Sequence, residues 1–498
     1  MMSLARACLR ALWLLTLPGA IFAAQPGDAD FVDEFAGKPR LVVLTDIGNE
    51  PDDQMSMVRL MLYSNELDIE ALVATTSTWQ RDRVRPDMIA KVVAAYGEVQ
   101  PNLLKHAEGW PKAEQLQAKI SSGQPAFGMA AVGRNKLSTG AKAILAAADR
   151  ADPRPLWITV WGGANTLAQA LMTARLTRSP QQLAALIAKL RVYSVSDQDD
   201  AGPWIRREFP TLHYIVRPTQ PDSHEYMYAT WTGISGDVFY RNCEGADATL
   251  VTNEWLDRNI RSKGPLGAAY PKFEYIMEGD TPSFLNLVGN GLEAYRNPGW
   301  GGWGGRYLRF LPSGESRPLW TQGGDADSRI TSRDEVTGVD GRSHVSDQAT
   351  VWRWREAFQN DFAARMDWTV KEFNAANHAP TVVVDQGRSP WPIHLQVRAG
   401  DTFELAAEAS DPDGNALQFR WFHYAEAGHA PAWGLAGLEI LEPGASRTRI
   451  RATVACRPDW MNHNANCGSG IAHIILAVTD NGTPRLTAYR RIIVAVAQ

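Results

Sequence analysis

Cysteine is nearly absent from this chain, at four residues in 498. No pair of cysteines and no pair of histidines stands at ligand spacing, which argues against a structural zinc site. Basic runs are missing too. With 50 Lys and Arg against 55 Asp and Glu, the formal net charge is −5, which makes nucleic acid a poor partner. No apolar stretch is long enough to span a bilayer, so stable membrane insertion is not expected. Internal repeats and low-complexity tracts are absent, which excludes solenoids and long disordered arrays.

What is present is ample apolar content, 45% of the residues, in a chain long enough for more than one domain. Arg6 and Arg10 precede the apolar stretch Ala11 to Leu17, and Ile21, Phe22 and Ala23 form a cleavage pattern. Residues 1–24 are therefore expected to be a signal peptide, cut after Ala23 or Ala24, with a secreted or periplasmic product. Cys8 precedes the apolar core, a poor position for a lipid anchor. In an oxidising compartment Cys456 and Cys467 are expected to close a small loop, leaving Cys243 as a buried thiol.

Apolar runs alternate with helical periodicity over 38–375. Strands are predicted at Leu41–Leu44, Ala71–Thr75, Leu156–Trp161 and Val192–Val195, with helices near Pro86–Tyr96, Ala141–Asp149 and Asn165–Ala174. This pattern implies an α/β domain with a mostly parallel sheet, whose ligands bind beyond the strand carboxyl ends. The segments lying there are the acidic loop after Leu44, Thr76–Gln80, Gly162–Asn165 and Ser196–Asp200. After Asn377–Pro380 the composition shifts to short alternating runs at Ile393–Val397, Thr402–Ala406, Leu417–Trp421 and Arg491–Val496. Together with turn signals, these predict an immunoglobulin-like β-sandwich over 378–498.

The loop Asp46-Ile-Gly-Asn-Glu-Pro-Asp-Asp53 follows a buried-strand run and concentrates four carboxylates. Pro51 and the acids suit the start of a helix from about Gln54 to Ser64. Capping needs one or two acids, however, and leaves Asp46 unexplained, whereas a hard cation such as Ca2+ would neutralise them all.

Three regions resemble the signatures of the nucleoside hydrolase superfamily: this loop, Trp161-Gly-Gly-Ala-Asn-Thr-Leu-Ala168 and Gly279-Asp-Thr-Pro282. The whole mature chain resembles cellulose-binding proteins that join a nucleoside-hydrolase-like domain to a C-terminal sandwich. The resemblance implies a Ca2+ site with Asp46, Asp52, Asp53 and Asp280 as carboxylate ligands and the Trp161 carbonyl as a main-chain ligand. It makes Asp46 the general base, and matches Asn165 to a turn asparagine that either caps a helix or contacts substrate. This chain also departs from the family pattern. Leu44 stands where the motif has its first aspartate, two extra residues separate Gly48 from Asp52, Gly279 replaces a histidine, and Gln80 aligns with an asparagine. These changes weigh against a nucleoside substrate.

The expected chemistry is attack of water on an anomeric carbon, with Asp46 accepting a proton and Glu278, or failing that His224, acting as general acid. Asn49, Gln80, Asn165 and Asp197 are the polar substrate-binding candidates. Trp300 and Trp303, in a glycine-rich loop expected to be exposed near the site, offer flat faces for sugar rings. Within the sandwich, Trp421 reads as core and Trp433 and Trp460 as carbohydrate contacts, while Asp411–Gly414 reads as a turn or a structural calcium loop. The function expected is a calcium-dependent glycosidase-type hydrolase acting on an oligo- or polysaccharide. The alternatives are a non-catalytic cellulose-binding protein and a periplasmic nucleoside hydrolase.

Overall fold

A computed structural model describes residues 32–497, apart from 221–223, 237–239, 323–331, 386, 388–390, 429–433 and 457–469. The expected signal segment, Trp433, Trp460 and Cys467 lie outside the described residues, as do the side chains of His224 and Cys456. No helix among the described residues is long and apolar enough to cross a membrane.

Eight strands form the first sheet: β1 (Arg40–Thr45), β2 (Asp68–Ala74), β3 (Ile120–Ser122), β4 (Leu156–Val160), β5 (Leu190–Ser194), β6 (His213–Ile215), β7 (Leu308–Phe310) and β8 (Leu319–Thr321). Their order is β3-β2-β1-β4-β5-β6-β8-β7, parallel throughout except for the β7–β8 edge. β1 and β4 are buried along their whole length. They read as continuous apolar runs because crossover helices cover both faces of a parallel sheet. One such layer packs Ile144, Leu167, Leu171 and Ile205 against Val42, Ile158 and Val192.

The chain leaves β1 toward β2 on one side and reaches β4 on the other. The strand order therefore reverses between β1 and β4, and a crevice opens at their carboxyl ends. This single topological fact positions the acidic loop, which begins directly after Thr45.

A small hairpin, β9 (Asp334–Thr337) and β10 (Ser343–Ser346), leads to the long helix Arg355–Asp367 and then to the sandwich. Its strands are β11 (Thr381–Val384), β12 (Ile393–Arg398), β13 (Thr402–Ser410), β14 (Leu417–His423), β15 (Gly434–Ile440), β16 (Arg447–Cys456), β17 (Gly470–Asp480) and β18 (Thr487–Ala497). They form two four-stranded sheets, β11-β13-β16-β15 and β12-β18-β17-β14. Trp421, Ile450, Ile474 and Val494 lie in the core between them, as the alternation at Trp421 implies. The Asp411–Gly414 segment is a turn, in which Asp411 Oδ1 accepts from Asp413 N at 2.9 Å and Asn415 N at 3.0 Å.

The glycine-rich loop departs from expectation. Trp300 and Trp303 are 6% and 2% exposed, so neither offers a face to solvent. Trp303 packs edge-on against Phe358 and against Tyr489 of β18, and Trp300 against His473 of β17. The glycines serve close approach: Gly301 sits at φ +68°, and a Cβ there would strike the Tyr424 hydroxyl. The loop is a seam between the α/β layer and the sandwich.

Polar groups register that seam. Asp334, fully buried, binds Arg306 Nε at 2.8 Å and Arg353 Nη1 at 2.7 Å, and accepts from the Tyr424 hydroxyl at 2.6 Å. Arg491 is buried with no carboxylate partner among the described residues. Its guanidinium donates to Leu292 O at 2.6 Å and Gly301 O at 2.7 Å, and meets His473 Nδ1 at 2.9 Å. Replacing Arg491 with Ala leaves those carbonyls unpaired in a dry interface. A loss on the order of 3 kcal/mol is expected in urea unfolding; an unchanged midpoint would show that the seam does not depend on this residue.

Candidate functional site

Thr45 ends β1 and its hydroxyl turns into the loop, accepting from Ile47 N at 3.1 Å and donating to the Asp53 carboxylate. Pro51 precedes the helix Asp52–Met61 and offers no capping side chain, while the backbone N–H groups of Asp52 and Asp53 favour the Asp52 carboxylate. The helix start accounts in part for Asp52 and Asp53, whose charges its positive end favours, and leaves Asp46 and Asp280 unexplained. A carboxylate oxygen from each of Asp52, Asp53 and Asp280 lies within 4.8 Å of the others, and all three residues are buried. Asp46 lies beside this set and couples to it through charge.

These four carboxylates are 3–9% exposed. Burial, followed by the charges of the neighbouring acids, Glu50 first for Asp52, Asp46 for Asp53 and Asp53 for Asp280, pushes all three well above the usual carboxylate range. Burial also raises Asp46, partly opposed by a hydrogen bond from Ser77. Glu50, at the cavity wall, is pushed up to about 7 by burial and then by Asp46. Among the described residues none of the five forms an ion pair. Asp52 Oδ1 and Asp280 Oδ2 are buried without any hydrogen-bond partner among the described residues. All-oxygen ligands, excess negative charge and orphaned buried carboxylate atoms fit a hard dication such as Ca2+.

The strand ends close around this floor. Gln80 Nε2 donates to Asp46 O at 3.0 Å, so Gln80 shapes the loop from behind. Gly162 follows β4 where a Cβ would come within 2.5–2.8 Å of the Asp46 side chain, which explains the small residue. The Trp161 carbonyl accepts from Gln198 Nε2 at 2.6 Å, and its indole N–H donates to Ser283 Oγ at 2.9 Å.

Above the floor is a cavity of about 420 Å³, lined by Asp46, Glu50, Asp52, Asp53 and Asp280 below and by Trp79, Tyr226, Trp231, Tyr240 and Tyr275 around the walls. Trp79 and Tyr275 are about half exposed, at 47% and 49%, so they form a rim open to a ligand. Trp231 is held by its indole donating to Ser196 Oγ at 3.3 Å, and it meets Tyr240 edge-on.

Several expected contacts lie elsewhere. Glu278 is not a cavity acid: fully buried, it binds Arg59 Nε at 2.5 Å and accepts from the Tyr270 hydroxyl at 2.5 Å and Thr281 Oγ1 at 2.9 Å. Asp197 is likewise consumed, bidentate to Arg206 at 2.7 and 2.9 Å. Asn165 is fully buried; its side chain neither caps a helix nor reaches the cavity, but donates to Thr76 Oγ1 and Ala126 O at 3.1 and 2.8 Å. The cap is supplied by Asp199, which accepts from Ala164 N and Asn165 N at 3.1 and 3.0 Å and is raised to about 7 by burial. Asn49 is exposed and outside the cavity lining. His224 begins a short helix, His224–Tyr228. Trp300 and Trp303 are at the seam, and the aromatic wall they were expected to provide comes from other residues. Trp79 was discoverable, since it sits in a strand-end segment, whereas the aromatic residues at 226–275 belong to a stretch without periodicity. Cys243 is a buried thiol contacting Thr232 O at 3.8 Å.

Residues 40–307 match the family described as cellulose-binding Sde182, nucleoside hydrolase-like domain, and 402–496 match the cellulose-binding protein Sde0182 C-terminal domain. A solved nucleoside hydrolase-related protein from Saccharophagus degradans, described as associated with carbohydrate metabolism, is 34% identical. The match covers 93% of this chain and 100% of that one, with a TM-score of 0.74. The effector XopQ bound to adenosine diphosphate ribose is 13% identical over 57% of this chain and 88% of its own, at a TM-score of 0.29, too low to support a structural argument. No curated protein matches.

Two outcomes test the division between floor acids and paired acids. In chelator, Asp280→Asn removes a buried like charge, so its melting temperature is expected to exceed that of wild type. With calcium the order reverses, because wild type gains about 2.7 kcal/mol at 100 times Kd and the variant gains less. Identical wild-type melting with and without calcium would remove the cation from the reading. Glu278→Gln leaves Arg59 buried without its carboxylate, and a loss of about 3 kcal/mol is expected in denaturant unfolding.

Proposed function

Because this chain belongs to the cellulose-binding family whose N-terminal domain is nucleoside hydrolase-like, we propose that it is an exported, calcium-dependent hydrolase cleaving a glycosidic bond in an oligo- or polysaccharide. The observation that carries this reading is the convergence of unpaired, buried carboxylates beneath an aromatic-walled cavity. Asp52, Asp53 and Asp280, together with Asp46, would hold the ion, whose contribution is Lewis acidity toward water and sugar hydroxyls.

Asp46 accepts the proton of the water that attacks the anomeric carbon. Gln80, donating to the Asp46 main-chain carbonyl, keeps the loop in register for that transfer. The acidic surroundings favour the positive charge that develops on the sugar. Trp79 and Tyr275 offer apolar faces at the rim, and Trp231 and Tyr240 exclude water from the interior. With Glu278 neutralised by Arg59, proton donation to the leaving oxygen passes to Glu50, the cavity carboxyl outside the convergent set.

A second reading, a carbohydrate-binding protein without turnover, is favoured by the engagement of Glu278 and by the family's description. Reducing-sugar release from a panel of soluble glucans, measured with calcium and with chelator, separates the two. Calcium-dependent release that falls by about 10²–10⁴ in Asp46→Ala is expected of the hydrolase. No release, with insoluble cellulose still retaining the protein, establishes the binder. Efficient cleavage of inosine or uridine would instead identify a nucleoside enzyme.

A further inference from the structure

A second cavity, of about 550 Å³, lies between the sandwich and the helix Arg355–Asp367 and shares no lining residue with the acidic one. Its sandwich wall is ordered by strand register. Gln418 pairs with Thr479 and Arg420 with Ala477 across β14 and β17, while Thr479 pairs with Thr487 and Ala477 with Tyr489 across β17 and β18. Two rows therefore cross three strands on one face, Gln418–Thr479–Thr487 and Arg420–Ala477–Tyr489. The small residue at the middle of the second row leaves the hollow. Opposite it, Glu356 and Asn360 lie one helical turn apart, beside Glu335 and Thr337 of the hairpin.

The lining has the chemistry of a polyhydroxyl site. Amides, hydroxyls, guanidinium groups and carboxylates supply donors and acceptors from both walls; Arg420 and Arg485 are balanced by Glu335 and Glu356, and Arg353, the third guanidinium of the lining, is paired with Asp334 behind it, so an anion has little advantage. Arg485 Nη2 donates to Gln418 Oε1 at 3.1 Å, and the Thr479 and Thr487 hydroxyls meet at 2.9 Å. Trp354, 5% exposed, lines the cavity, and its buried indole N–H has no partner among the described residues. Phe422, half-buried, adds an apolar surface under the Arg420 guanidinium, 5.1 Å from its ring centre.

We propose that this seam cleft is a neutral-glucan binding site, separate from the acidic cavity. Gln418, Arg420, Asn360 and Glu356 hydrogen-bond sugar hydroxyls, and Trp354 and Phe422 supply apolar contact. The proposal rests on the reading that the protein engages a glucan, and it locates the attachment on composite walls that neither domain forms alone.

The test is retention of the full-length protein on insoluble cellulose in chelator, so that a calcium-dependent cavity does not contribute. Wild type is expected to bind. The exposed double variant Gln418→Ala, Arg420→Ala is expected to bind at least about tenfold more weakly, with its melting temperature and its calcium response unchanged. A second variant, Asn360→Ala on the facing helix, is expected to weaken retention in the same direction. Wild-type retention by both variants would overturn the cleft, as would loss of wild-type binding on chelation alone. Stronger competition by polygalacturonate than by cellohexaose would overturn the neutral ligand class. Failure of wild type to bind cellulose with or without calcium would overturn the glucan reading itself, distinguishable because it appears before any substitution.

Discussion

Asp46, Asp52, Asp53 and Asp280 share one buried floor, and the rest of the α/β domain is arranged around the electrostatic cost of that choice. Two like charges 4 Å apart repel by about 4 kcal/mol at an effective dielectric near 20. Such a cluster persists only where each acid is held by the fold and the sum is neutralised by protons or a cation. The fold holds them through the Thr45 hydroxyl, the Gln80 amide and the helix start at Asp52, with Gly162 leaving room for Asp46. The reversal of strand order between β1 and β4 provides the crevice in which these contributions meet.

Arginine separates the acids that shape the protein from those available for chemistry. Glu278 has Arg59, Asp197 has Arg206, Asp334 has Arg306 and Arg353, and Glu293 has Arg296. Each of these buried acids is neutralised within the fold by a guanidinium at hydrogen-bond distance. The floor carboxylates have no such partner among the described residues. That difference, more than proximity to a motif, is what demotes Glu278 from proton donor to structural anchor.

The seam follows a different logic. Trp300, Trp303 and Trp354 are buried there with Tyr424 and Tyr489, and Asp334 and Arg491 fix their relative positions. A flexible-looking Gly-Trp-Gly-Gly-Trp run is therefore a rigid inter-domain contact, with glycine serving close packing and not exposure. Among the described residues the interface encloses a polar hollow where Ala477 sits between Arg420 and Tyr489.

Local signals decided much that was legible in the sequence. Apolar runs marked β1, β2, β4 and β5, because strands covered on both faces are apolar throughout. Alternation and turns marked the sandwich, and a loop dense in carboxylates marked the site. The short strands β3 and β6–β8 were not legible, since three-residue strands carry no periodicity. Nor could composition tell an exposed tryptophan from a buried one, or a free carboxylate from one with an arginine 219 positions away, as Glu278 has in Arg59. The sequence by itself determined the class of domain, the strand ends and where acidic side chains concentrate, because these depend on neighbouring residues. Only the tertiary structure decided which acids stay unpaired and which aromatics face the cavity, because pairing and exposure depend on contacts between residues far apart in the chain.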